Sequence, residues 1–237
     1  MQVPRITRNC DQGVKRPGYG DRVVSSAESI ERPSWRGWLH TGAFALTIPA
    51  GLVLIVLADT AAARTSAAIY AASLAMMFGT SAAYHRLAQS ETARRRMQRA
   101  DHSTIFLLIA GTYVPITMVV MPMKWGIPIL ASIATLAVVG ILMKTLIFDR
   151  MQWLASALYP IMGWIAVLTL PVLFDELSAA QLVFVIGGGL VYSLGIPVLF
   201  LRRPDPWPRT FGYHEVWHVF VIVAAGLHFA AITSIVA

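Results

Sequence analysis

From residue 39 onward the chain alternates between long apolar runs and short polar stretches. The runs cover residues 39–57, 66–84, 103–120, 126–147, 153–173, 180–200 and 213–236. Each is close to the ~20 residues that a helix needs to cross a hydrocarbon core of ~30 Å. In lipid the backbone amides must bond within their own segment, so these runs predict helices rather than isolated strands. The expected fold is all-α, a bundle of seven transmembrane helices over residues 38–237. Residues 1–37 are polar, carry scattered Pro and Gly with seven Lys/Arg, and read as a mobile basic tail. There is no internal repeat and no low-complexity tract.

Composition supports a membrane protein. Hydrophobic residues make up 57% of the chain and charged residues only 13%, against about a quarter in a soluble domain. The net charge of +7 does not imply nucleic acid. Lys and Arg fall in short clusters between apolar runs and form no continuous basic face. Such clusters suit anchors beside a membrane, and the partners they imply are lipids. Trp35, Trp38, Trp125, Trp153, Trp207 and Trp217 sit near run ends, as interfacial belt residues do. With the N-terminus inside, 17 of the 19 Lys and Arg lie on the cytoplasmic side, leaving only Arg64 and Lys124 outside. The expected orientation is therefore N-terminus cytoplasmic and C-terminus external. Cys10 is the single cysteine, which excludes an intrachain disulfide and a cysteine-based zinc site. The first apolar run starts too late for a cleaved leader.

On that map the ionisable residues converge. His85 ends the second run, Asp101 and His102 stand at the start of the third, and His214, Glu215 and His218 open the seventh. All fall at one depth, near the cytoplasmic face, although the topology was set by Lys and Arg alone. His214 and His218 are four apart, so they share a helix face with an axial offset of ~6 Å. Two imidazoles so spaced can meet on one Zn²⁺, and His85 can add a third nitrogen from another helix. Three histidines with an open position acidify a bound water. Asp101 can serve as the general base for it. Ser81, one turn before His85, can hold a water or a substrate oxygen. A lone His at a helix end is usually interfacial, and His40 reads that way. Ionisable groups in spans are costly, so a shared depth for three histidines and an aspartate argues for purpose. His228, near mid-membrane, reads as a neutral histidine hydrogen-bonded inside the bundle. His102 points ~100° away from Asp101 and reads as interfacial or supporting.

His214–His218 spells H-E-x-x-H, which on a helix signals a zinc peptidase with Glu as base. No acid follows His218 to act as a third ligand, so Glu215 reads as incidental, its charge suiting the helix N-terminus. A retinal-type Schiff base needs a lysine deep in a span, and Lys15, Lys124 and Lys144 are not so placed. Pro115 and Gly187–Gly189 read as a kink and a close helix contact.

Several segments together resemble the hemolysin III family, the bacterial branch of the progestin and adipoQ receptor (PAQR) superfamily. They are Ser81-Ala82-Ala83-Tyr84-His85, Asp101-His102, Leu108-Ile109-Ala110-Gly111-Thr112-Tyr113-Val114-Pro115 and His214-Glu215-Val216-Trp217-His218-Val219-Phe220. The resemblance covers nearly all seven runs and excludes the tail. It implies a seven-helix bundle in the bacterial inner membrane, with zinc held by His85, His214 and His218. It also implies that Ser81 and Asp101 line the site, Asp101 reaching the metal through water. Related receptors are proposed to hydrolyse ceramide-like amides, and the wider superfamily includes alkaline ceramidases. Bacterial members are linked to haemolysis and to lipid and fluidity homeostasis. Three functions follow: a zinc-dependent hydrolase of lipid amides or esters, a non-enzymatic lipid sensor with structural zinc, and a pore-forming cytolysin. No ring of charged residues lines any span, which leaves the pore unsupported.

Overall fold

The computed structural model describes residues 33–146 and 148–237. They form the helices α1 (Trp38–Leu57), α2 (Ala61–Leu87), α3 (Glu91–Pro115), α4 (Met123–Leu146), α5 (Phe148–Trp164), α6 (Leu170–Glu176), α7 (Ala179–Leu201) and α8 (Tyr213–Val236). Seven stretches are long and apolar enough to span a membrane, the fifth combining most of α5 with α6. Among the described residues no β-strand forms, and only one isolated bridge joins Trp207 to Phe211. This is the all-α, seven-span bundle that the hydropathy pattern predicts. Strongly exposed apolar side chains such as Leu46, Val56, Leu168 and Phe200 form its lipid-facing surface.

Helix ends follow local chemistry more than hydropathy. The third helix was expected to begin near residue 103 but begins at Glu91. Its first turns are charged, and the Ser90 side chain caps them by accepting from the Ala93 amide at 3.1 Å. Asp101 and His102 therefore lie well inside α3 rather than at its start. The fifth span is not one regular helix. A 3₁₀ turn at Ile165–Thr169 separates α5 from α6, and Pro171, which lacks an amide proton, sits in the first turn of α6. After Pro115, α3 continues as a π-helical turn, Ile116–Val120.

The α2 and α3 spans are the most enclosed, with 56% of each apolar window buried, whereas α7 has 11%. α8 runs along α7 and also touches α1, α2 and α3. One core cluster joins α1, α2, α3 and α8 through Leu54, Tyr70, Phe78, Leu108 and Val221. A second joins α3, α4 and α5 through Phe106, Tyr113, Ile133 and Met162. Within the Gly187–Gly189 stretch only Gly188 makes a close contact, since an added Cβ would fall 2.4 Å from the His228 ring. Trp217 is not a belt residue. It is partly buried against the first cluster and lies over Gly195.

The mobile tail expected over residues 1–37 lies outside the described residues as far as residue 32. Residues 33–37 are held in place. The Ser34 amide donates to Arg209 O and the Trp35 amide to Thr210 O, both at 3.1 Å. Gly37 has φ of 82°. A Cβ there would lie 2.8 Å from both His85 Cβ and Arg86 Cγ, so only glycine lets this turn pass so close to the end of α2.

Candidate metal centre

The last turns of α2 and the first turns of α8 meet at one end of the bundle. The i,i+4 spacing of His214 and His218 places them on one face of α8, with tilted rings whose centroids are 4.5 Å apart. His85 comes across from α2, its centroid 4.8 Å from His214 and 5.2 Å from His218. The Nε2 atoms of His85 and His214 are 3.2 Å apart, within hydrogen-bond distance of each other. Two nitrogen ligands on tetrahedral zinc stand about 3.3 Å apart when each bond is 2.0–2.1 Å. One ligand atom from each of the three histidines lies within 4.8 Å of the others. The three histidines thus fit a divalent metal of the imidazole-preferring kind, with small side-chain adjustment.

Around this trio lies a polar cluster inside an apolar wall. Ser81 is buried one turn before His85, and its hydroxyl is 2.8 Å from Nδ1 of His40. The Asp101 carboxyl is buried on α3 and lies toward Ser81. Asp101 thus joins the cluster through Ser81. Next to them the hydroxyls of Thr80 and Thr104 share a hydrogen bond of 2.8 Å, and Thr104 also donates to the backbone carbonyl of Asp101. These contacts hold α2 and α3 in register at the site.

His40 differs from its expected interfacial role. It is only 3% exposed, and its ring stacks on His218 with centroids 3.7 Å apart and planes within 10°. His40 stands in the first turn of the first span, at the same bundle end as the other histidines, but its single position carries no spacing signal.

Glu215 is not incidental either. Its side chain is fully buried, with Oε1 2.8 Å from Arg36 Nε. Its Oε2 accepts from the Gly212 amide at 2.9 Å, which closes the first turn of α8. Both carboxylate oxygens are engaged, so Glu215 is not poised as a peptidase base. The same ion pair ties residues 33–37 to α8, and Trp35 packs edge-on against Phe211.

His228 behaves as expected, its Nε2 donating to Val185 O at 3.1 Å. His102 stands outside the trio. It is half-buried, and its backbone carbonyl accepts from the Tyr159 hydroxyl at 2.8 Å.

Comparison with known proteins finds relatives over most of the chain. The family described as Haemolysin-III related matches residues 28–229. Hemolysin-3 of Bacillus cereus is 31% identical over 187 residues, covering 78% of this chain and 82% of that protein. A Hemolysin-3 homolog of Bacillus subtilis (strain 168) is 29% identical over 180 residues, covering 75% and 81%. The human monocyte to macrophage differentiation factor is 26% identical over 206 residues, covering 81% and 80%. All the histidines of the trio, with Ser81 and Asp101, fall inside the matched region.

Proposed function

Because the chain belongs to the haemolysin-III-related family, with relatives of the progestin and adipoQ receptor type, we propose that this multi-pass protein of the bacterial cell membrane is a zinc-dependent hydrolase. Its substrate on this reading is a lipid amide or ester, and its role is membrane lipid homeostasis. The observation that carries the reading is the convergence of His85, His214 and His218 from two helices. A buried hydroxyl and a buried carboxyl, Ser81 and Asp101, stand beside it. The N-terminus is cytoplasmic in this reading, because 17 of 19 Lys and Arg then face inward. That puts the histidines just beneath the inner headgroups, at the depth of a lipid's carbonyl linkage.

Zinc held by the three histidines would supply Lewis-acid activation of a water and of a carbonyl oxygen. The protein's own groups do the rest. The Asp101 carboxylate accepts the proton of the attacking water. The Ser81 hydroxyl donates its one proton to that carboxylate and so orients it. The apolar wall from α2, α3 and α8 excludes bulk water, which strengthens these interactions.

The test has two parts. Metal analysis of the purified full chain should find one zinc per chain, lost in His85→Ala and kept in Asp101→Asn. Lipid profiling of a deletion strain should show an amide or ester lipid accumulating, cleared by wild type and not by Asp101→Asn. A chain without stoichiometric metal overturns the reading. A zinc-loaded Asp101→Asn chain that restores the lipid profile overturns hydrolysis and leaves a metal with a structural or sensing role.

A further inference from the structure

The proposed reading uses His85, His214, His218, Ser81 and Asp101, and leaves a fourth buried histidine without a task. His40 comes from α1, which contributes nothing else to the trio. Its Nδ1 is 2.8 Å from Ser81 Oγ. Its ring lies flat on His218 at 3.7 Å. The opposite edge of the ring meets no hydrogen-bond partner, since Nε2 is buried without one. A polar ring in an apolar wall with one nitrogen unsatisfied is an expensive way to fill space. Phe78, which packs edge-on against His40 at 5.1 Å, shows that an aromatic hydrocarbon suits this wall.

We propose that His40 is a positioning residue of the metal centre, which fixes the ring plane of His218 by stacking and the direction of the Ser81 hydroxyl by hydrogen bonding. The inference rests on the metal reading above. The hydrogen-bond polarity follows from the donor inventory. A serine hydroxyl has one proton, and a carboxylate can only accept. When Ser81 gives that proton to Asp101, the bond to His40 must run from Nδ1–H to Ser81 Oγ. This selects the tautomer with the proton on Nδ1 and leaves Nε2 bare, in agreement with its lack of a partner. His40 thereby points the Ser81 proton at Asp101 rather than at the backbone of α2. The stack acts on the other side. His218 Nδ1 is buried with no hydrogen-bond partner; with Nε2 as the metal-facing nitrogen, no carboxylate or carbonyl orients this ring through Nδ1. A flat neighbour at 3.7 Å supplies that restraint.

The experiment reads metal binding rather than turnover. Co²⁺ is loaded into the purified full chain in detergent micelles, and its affinity is measured by chelator competition alongside the visible d–d absorption band. His40→Ala removes both restraints and should weaken Co²⁺ binding about tenfold or more, the usual cost of losing a group that orients a metal ligand. Its band should also shift in position or intensity. His40→Asn places an amide N–H where Nδ1–H stood and should recover part of the loss. His40→Phe keeps a stacked ring without the hydrogen bond and should fall between wild type and His40→Ala. If His40 only fills space, Phe restores thermal stability and every variant keeps the wild-type affinity and band, and the inference is overturned. Should His40→Ala fail to fold, wild-type affinity and band in both the Asn and Phe variants overturn it equally. Wild type that takes up no Co²⁺ overturns the metal reading and this inference together, whereas binding in wild type with indifferent variants overturns this inference alone.

Discussion

The Arg36–Glu215 pair offers a sharp energetic prediction, because the two ends differ in burial. Glu215 is fully buried and Arg36 is 20% exposed at its side chain. Arg36→Ala leaves a carboxylate inside the bundle with only the Gly212 amide for company. Removing one partner of a buried pair costs about 3–5 kcal/mol, and the part exposure of Arg36 favours the lower end, ~3 kcal/mol. Glu215→Gln should cost less, because the amide oxygen can still accept from Gly212 and the freed guanidinium can turn to solvent. Its loss is that of the ion-pair contact alone, smaller than the ~3 kcal/mol of Arg36→Ala because no charge stays buried without a partner. In the double variant Arg36→Ala/Glu215→Gln no charge is stranded, so its cost should be smaller than the sum of the two singles. The assay is equilibrium unfolding of all four proteins in the same micelles, followed by tryptophan fluorescence. The expected order of stability is wild type, then Glu215→Gln, with Arg36→Ala least stable and a coupling of at least ~1 kcal/mol. Singles that are equal and strictly additive would refute the view that this pair clamps residues 33–37 onto α8.

Two glycines make further predictions. Gly37→Ala forces a Cβ into left-handed backbone 2.8 Å from His85 Cβ. The conformation costs roughly 1–2 kcal/mol by itself, and relief of the clash moves a proposed metal ligand. Zinc affinity and melting temperature should therefore both fall, and unchanged affinity would show that the turn and His85 move independently. Gly188→Ala puts a Cβ 2.4 Å from the His228 ring. Overpacking of this kind costs about 1–3 kcal/mol, read as a lower melting temperature, and should be relieved by the second change His228→Ala.

The seven spans were legible because hydrocarbon imposes one rule on every segment that crosses it. Length and apolarity report that rule directly, which is why α8 begins and ends where the pattern put it, at residues 213–236. The ends that were missed obey other rules. The charged start of α3 is helical because Ser90 caps it, and a hydropathy reading stops where charge begins. The break between α5 and α6 comes from a 3₁₀ turn and an early proline. Neither changes how apolar the segment is.

At the site the division is one of sequence distance. His214 and His218 announce themselves through a four-residue spacing on a single helix, and His85 through its depth. His40 meets Ser81 across 41 residues, and Arg36 meets Glu215 across most of the chain. No local pattern encodes either contact. Sequence alone suggests for each the role that fits most residues of its kind, an interfacial histidine and an acid at a helix N-terminus. Burial reverses both. A charge or an imidazole removed from water must find a partner, and at this end of the bundle the partners available are the residues next to the histidine trio. The polar groups hardest to read from sequence are thus those that fix the position of the ones that were easy to read.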